Sequence, residues 1–203
     1  MPDRTSSDWP SRLERGIAER ALPGEARSGD HAVFVARSSG ALVAAIDGLG
    51  HGGEAADAAD VAAGVIARFP DEDPRELLER CHGALRYTRG VVMTVAWFDL
   101  ERSTLSWAGV GNVDARLVRS GPDPREDVAL VFGGVLGYRM PNVRPASMPL
   151  ERGDLLVMIT DGIESAISPG LAGGGAAQTM ADRIFAMHGK GTDDALVVVV
   201  RYR

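Results

Sequence analysis

The sequence predicts an α+β sandwich in a single domain, and three observations carry that prediction. Short apolar segments of strand length recur along the whole chain, roughly nine or ten of them against three or four helical stretches. The helical stretches fall in two groups instead of alternating with the strands, which points to layers and not to βαβ units. No internal repeat, long linker or heptad pattern divides the chain, and 203 residues suit one domain with a substantial core.

Taken in order, residues 1–11 are polar and without structural period, so they are expected to form a flexible tail ahead of a domain at 12–203. Leu13 to Ala21 fits either a short strand or a short helix before Pro23-Gly24 breaks it. Ala32 to Ala36 and Ala41 to Ile46, separated by Ser38-Ser39-Gly40, read as a hairpin. Gly53 to Phe69 is alanine-rich with apolar residues at helical spacing, and Pro74 to Tyr87 forms a second helix with Pro74 in its first turn. Gly90 to Leu100 is apolar throughout, as a strand covered on both faces would be. Leu105 to Val110 and Asp114 to Val118, joined by Gly111-Asn112-Val113, are expected to continue the same sheet as a meander. Val128 to Phe132 and Val135 to Tyr138 are short strand candidates, and Pro141 to Pro149 is extended or looped. Asp154 to Thr160 is a further buried strand. Ile163 to Gly175 is a glycine-rich loop or weak helix, Gln178 to His188 a helix, and Ala195 to Val200 the last strand.

Composition excludes several function classes. A formal net charge of −6 repels phosphate backbones and argues against nucleic-acid binding. The single cysteine, Cys81, has no internal partner for a disulfide, which suits a reducing, cytoplasmic setting. Met1 to Pro10 lacks the features of a secretory signal, and the longest apolar runs fall short of the roughly 20 residues that cross a bilayer, so no membrane association is expected.

The chemistry gathers at strand ends. Val43-Ala44-Ala45-Ile46 stops at Asp47, and four glycines follow within the six residues from Gly48 to Gly53, which delivers a carboxylate to the rim of a sheet beside open backbone. Asp30, Asp161 and Asp193 likewise lie at ends of apolar strands, each near glycine. Singly these are turn acids. Gathered at one sheet edge they would repel one another and raise each other's pKa until a cation neutralised them. Oxygen ligands without a cysteine pair or close histidine pair favour Mg2+ or Mn2+ over zinc.

The ordered set Ser28-Gly29-Asp30, Asp47-Gly48-Leu49-Gly50-His51-Gly52, Ala108-Gly109-Val110-Gly111-Asn112, Thr160-Asp161-Gly162-Ile163 and Asp193-Asp194-Ala195-Leu196-Val197-Val198 resembles the metal-dependent serine/threonine phosphatases of the 2C class. Within that class it is most similar to the SpoIIE-type domains, especially the small RsbX-type stressosome phosphatases. The resemblance implies a four-layer αββα sandwich of two mainly antiparallel sheets flanked by helix pairs. It implies two Mn2+ or Mg2+ ions bridged by Asp47, with the Gly48 carbonyl as a further ligand. Asp161 and Asp193 would hold one ion, and Asp30 would act mainly through water, with Asp194 of lower rank. It also implies phosphoserine or phosphothreonine substrates, and for RsbX-type proteins a phosphorylated STAS-domain protein of a stressosome-like complex.

Three residues stand with two roles each. His51 is a candidate acid for the leaving oxygen or a residue that orients the glycine loop. Arg27 suits phosphate contact, although its spacing to Asp30 differs from the usual 2C-class arginine, and a surface role fits equally. Asn112 is a substrate-contact candidate or a residue tolerating a left-handed turn. Besides hydrolysis of a phosphoprotein, a catalytically silent phosphoprotein-binding module and a hydrolase of small phosphoesters stay open.

Overall fold

A computed structural model of the chain describes residues 9–121, 125–165 and 175–203. The chain begins with β1 (Leu13–Arg20), β2 (Asp30–Arg37) and β3 (Gly40–Gly48), followed by α1 (Gly53–Arg68) and α2 (Pro74–Ala84). Six strands come next: β4 (Val91–Asp99), β5 (Thr104–Val110), β6 (Asp114–Val118), β7 (Glu126–Val128), β8 (Val131–Phe132) and β9 (Ala146–Pro149). β10 (Leu155–Ile159), α3 (Ala177–His188) and β11 (Ala195–Tyr202) complete it.

The strands form two sheets. One runs β1-β11-β10-β6-β7, all antiparallel, and the other β2-β3-β4-β5-β8, with β9 also on β5. Period-two alternation divides each central strand between two cores. Val43 and Ala45 of β3, Ala96 and Phe98 of β4, Met158 of β10 and Val198 of β11 fill the space between the sheets. Leu42, Ala44 and Ile46 of β3 face the opposite way and pack on Ala58, Ala62 and Ile66 of α1 and Leu77 and Cys81 of α2. Beyond the other sheet, Val157 and Val199 pack on Met180 and Ile184 of α3. The result is four layers, helix, sheet, sheet, helix, with one helix pair and, among the described residues, α3 alone on the far side. Each fully buried Leu, Ile, Val or Phe contributes about 1.5–3 kcal/mol, so the three cores dominate stability.

Local chemistry explains the elements that carry the site. The alanines of α1 present no bulk, so the helix lies against the hairpin: a side-chain carbon at Gly48 would stand 2.2 Å from the Ala55 carbonyl oxygen. α2 starts on Asp73, whose carboxylate accepts the amides of Arg75 and Glu76 at 2.8 and 3.0 Å, with Pro74 in the first turn.

Three expectations are corrected or sharpened. The stretch from Leu13 is a strand, because it pairs along its whole length with β11. The meander after β4 does not continue: β5 lies in one sheet and β6 in the other. Gly111, at φ 100°, turns the chain between them, and Val113 enters the inter-sheet core fully buried. Trp9, expected in the tail, packs edge-on to Phe34 at 5.6 Å between ring centres, while residues 1–8 lie outside the described residues. Most of the glycine-rich stretch from Ile163 to Gly175 also lies outside them.

Candidate active site

Two strand-pair ends meet at one rim of the sandwich. In the β2–β3 hairpin, Asp30 stands directly opposite Asp47, which puts two carboxylates side by side on one face. Asp47 shares the alternation of Val43 and Ala45, the residues that enter the inter-sheet core. From the other sheet, Asp161 follows β10 and Asp193 precedes β11, and these two strands are antiparallel neighbours.

The two sheets are tied together there by buried hydrogen bonds. The Thr160 hydroxyl donates to Asp30 Oδ2 at 2.6 Å and accepts the Leu196 amide at 2.9 Å. Asp194, itself 3% exposed, accepts the amides of Leu22 and Gly29, both at 2.7 Å. The turn after β10 is as tight, since a side-chain carbon at Gly162 would stand 1.9 Å from the Asp194 carbonyl oxygen.

Asp30, Asp47, Asp161 and Asp193 line one open cavity of about 340 Å3, together with His51 and Asn112. Leu49, Val92 and Val135 form its apolar wall. Asn112 donates from Nδ2 to Asp161 Oδ2 at 3.1 Å, and Lys190 Nζ donates to the Asp161 backbone carbonyl at 2.5 Å. Burial first, and then the charges of Asp30, Asp161, Asp193 and Asp194, push the Asp47 carboxyl up to about 8. Asp30 is pushed up to about 7, by burial and then by Asp194, Asp161 and Asp193, against the Thr160 hydrogen bond, which favours its charged form. Such a cluster holds protons or a cation near neutral pH.

Among the described residues, no three acidic, histidine or cysteine side chains form a closed metal cage. Magnesium and manganese do not require one: they keep several waters and take one or two carboxylates, with phosphate oxygens completing the shell. A water occupies about 30 Å3 in the liquid, so a cavity of about 340 Å3 has room for a hydrated ion. The buried Asp30 and part-buried Asp47, repelled by each other and by Asp161 and Asp193, fit divalent cations.

A family model for stage II sporulation protein E (SpoIIE) matches residues 37–203. The chain belongs to the SpoIIE family. It is similar to the phosphoserine phosphatase RsbX of Bacillus subtilis (strain 168), at 24% identity over 140 residues, 69% of each protein. A solved structure described as belonging to the bacterial stressosome, "a modular system that has been adapted to control secondary messenger signaling", is 31% identical with a TM-score of 0.87, covering 93% of this chain and 99% of that one. RsbX in complex with magnesium superposes with a TM-score of 0.86 over 96% of this chain and 97% of that one, at 19% identity, which establishes the shared fold. The serine/threonine phosphatase PstP/Ppp of Mycobacterium tuberculosis has the same fold, with a TM-score of 0.74 at 16% identity over 94% and 99% of the two chains. RsbX and PstP/Ppp are phosphatases, and phosphatases are hydrolases.

Two of the sequence-derived site residues of this SpoIIE-family chain do not line the cavity. Gly48 is buried behind Asp47, where a carbon added to Gly29 would stand 3.2 Å from its carbonyl oxygen. Arg27 turns to α1, its Nη1 2.6 Å from Asp57 and its Nη2 2.8 Å from Asp60. Those two acids of α1 draw the guanidinium away from the cavity. Three residues have roles that the sequence reading did not assign. Thr160 and Asp194 stand inside the quoted motifs beside Asp161 and Asp193, so the motif order marked them. Glu25, which meets His51 Nδ1 at 2.6 Å, carried no such signal.

Proposed function

We propose that this SpoIIE-family chain is a cytoplasmic Mg2+- or Mn2+-dependent protein phosphatase that hydrolyses phosphoserine or phosphothreonine on a STAS-domain protein of a stressosome-like complex. The observation that carries the reading is the convergence of Asp30, Asp47, Asp161 and Asp193, from both sheets, on one solvent-open cavity. Likeness to RsbX and to a stressosome structure supports the choice of partner. Among the described residues no helix is long and apolar enough to cross a membrane.

Asp47, Asp161 and Asp193, with the Gly48 carbonyl, would hold the two ions, and Asp30 would act through water. Such ions, when bound, would supply a water of lowered pKa and offset charge on the phosphoryl oxygens. Asn112 orients the Asp161 carboxylate through its 3.1 Å bond, as a residue behind a ligand does. Leu49, Val92 and Val135 limit the water around the reacting phosphoryl group. His51 lines the same cavity, which supports the reading that it serves the leaving oxygen.

Replacing Asp47 or Asp161 with asparagine and following phosphate release from a phosphoserine peptide in Mn2+ tests the reading. Loss of metal-stimulated release, with the fold kept by circular dichroism, is the expected result. Undiminished turnover would sink it. One observation favours a second reading, a silent phosphoprotein-binding module: Arg27 is committed to α1 and not to the cavity. Binding of the phosphopeptide by the wild-type chain without phosphate release would select it.

A further inference from the structure

We propose that Glu25 is a positioning residue for His51, holding the imidazole so that its Nε2 hands a proton to the serine oxygen that leaves phosphorus. This rests on the phosphatase reading above. His51 lines the cavity with Asp47 and Asp161, and its Nδ1 lies 2.6 Å from Glu25 Oε1. A carboxylate that engages Nδ1 leaves Nε2 as the ring nitrogen available to the cavity and fixes which nitrogen carries the proton.

The surroundings are built for that contact. Glu25 lies in the connection between β1 and β2, and Asp194 grips both ends of this connection through the Leu22 and Gly29 amides at 2.7 Å. The Glu25 amide is bonded to the Leu22 carbonyl at 2.9 Å, so the carboxylate is presented from a tied turn. On the other side, Gly52 adopts φ 74°, and a side-chain carbon there would stand 2.6 Å from Glu25 Oε2. A residue other than glycine at position 52 would fill the space the carboxylate occupies. The pair therefore joins the loop that follows Asp47 to the loop that Asp194 holds.

The step balances without any added reagent. A water oxygen forms the new bond to phosphorus while the phosphorus–oxygen bond to serine breaks. The electron pair of that bond goes to the seryl oxygen, which takes the Nε2 proton of the doubly protonated His51 ring, whose other proton stays on Nδ1 against Glu25. The proton shed by the attacking water restores His51, with Glu25 bonded to Nδ1 throughout. Serine and inorganic phosphate are the products, and nothing is oxidised or reduced.

The ordinary alternative is a half-exposed ion pair irrelevant to chemistry. Leaving-group dependence separates the two. A seryl oxygen needs a proton to leave, whereas p-nitrophenolate leaves without one. General acid catalysis contributes about 10²–10⁴-fold and a residue orienting such a group about 10–100-fold. In Mn2+, Glu25→Ala is therefore expected to lower kcat on a phosphoserine peptide about 10–100-fold, and His51→Ala by more, with a much smaller loss on p-nitrophenyl phosphate in each variant. In the metal-free protein, at a pH where the ring is neutral, long-range 15N–1H spectra should show the single His51 proton on Nδ1, and Glu25→Ala should abolish that preference. Equal losses on both substrates, or an unchanged His51 tautomer in Glu25→Ala, overturns the proposal alone. Failure of the wild-type chain to hydrolyse either substrate overturns the phosphatase reading and this proposal with it.

Discussion

The Thr160 hydroxyl donates to Asp30 at 2.6 Å, and through it the strand that carries Asp161 is joined to the hairpin that carries Asp47. The same hydroxyl accepts the buried amide of Leu196 at 2.9 Å, so one oxygen serves both sheets. Thr160→Val keeps the shape and removes both bonds. It leaves an amide without a partner and takes from Asp30 the hydrogen bond that favours its charged form. A loss of about 1–3 kcal/mol is expected, read as a lower urea midpoint at unchanged m value. A midpoint equal to that of the wild type would show that the sheets are held at this rim by packing alone.

Asp194 makes a second tie of the same kind, with both carboxylate oxygens accepting backbone amides 165 or more residues away in the chain. Asp194→Ala leaves the Leu22 and Gly29 amides unpaired and should cost roughly 3 kcal/mol, since hydrogen bonds to charged acceptors are worth about 1.5–3 kcal/mol each. Asp194→Asn keeps one acceptor oxygen and should cost less. Hydrogen exchange at Leu22 and Gly29 is the sharper measurement: both amides should lose protection in Asp194→Ala while the core amides of β3 and β4 keep theirs. Retained protection at both positions would remove Asp194 from the account of how the Glu25 loop is held.

Much of this framework was legible from residues alone, and what was not has physical causes. The β2–β3 hairpin followed from apolar runs separated by Ser38-Ser39-Gly40, and α1 from alanines at helical spacing, because a buried strand and an alanine-rich helix leave strong periodic signals. The strand from Leu13 was ambiguous because its eight residues are too few to separate the two periods, and its pairing with β11 decided the matter. The sheet change between β5 and β6 was invisible, since a strand alternates with period two whichever sheet it joins. Of the site, the acids at strand ends could be read locally, but their meeting could not: Thr160 and Asp30 are 130 residues apart in the chain, and only the order of motifs related them. The turn of Arg27 toward Asp57 and Asp60, and the approach of Glu25 to His51, depend on side-chain reach across packed loops. No spacing rule encodes that.

The cavity acids also set how stability follows pH. Asp30 sits at about 7 and Asp47 at about 8 in the folded protein, against an ordinary carboxylate value of 3.8. Between those limits the metal-free folded chain binds more protons than the unfolded chain. Its unfolding free energy therefore falls as pH rises from about 4 through about 8. This is the reverse of an ion-paired carboxylate, whose contribution is lost on acidification. Divalent cations replace the protons, so Mn2+ should raise the urea midpoint more at pH 8 than at pH 5. Comparing wild type with Asp47→Asn isolates these groups from the rest of the titration: the substitution should flatten the metal-free decline and shrink the gain from Mn2+ at pH 8. Parallel pH profiles for the two proteins would mean that Asp47 is not the residue whose charge the folded state resists.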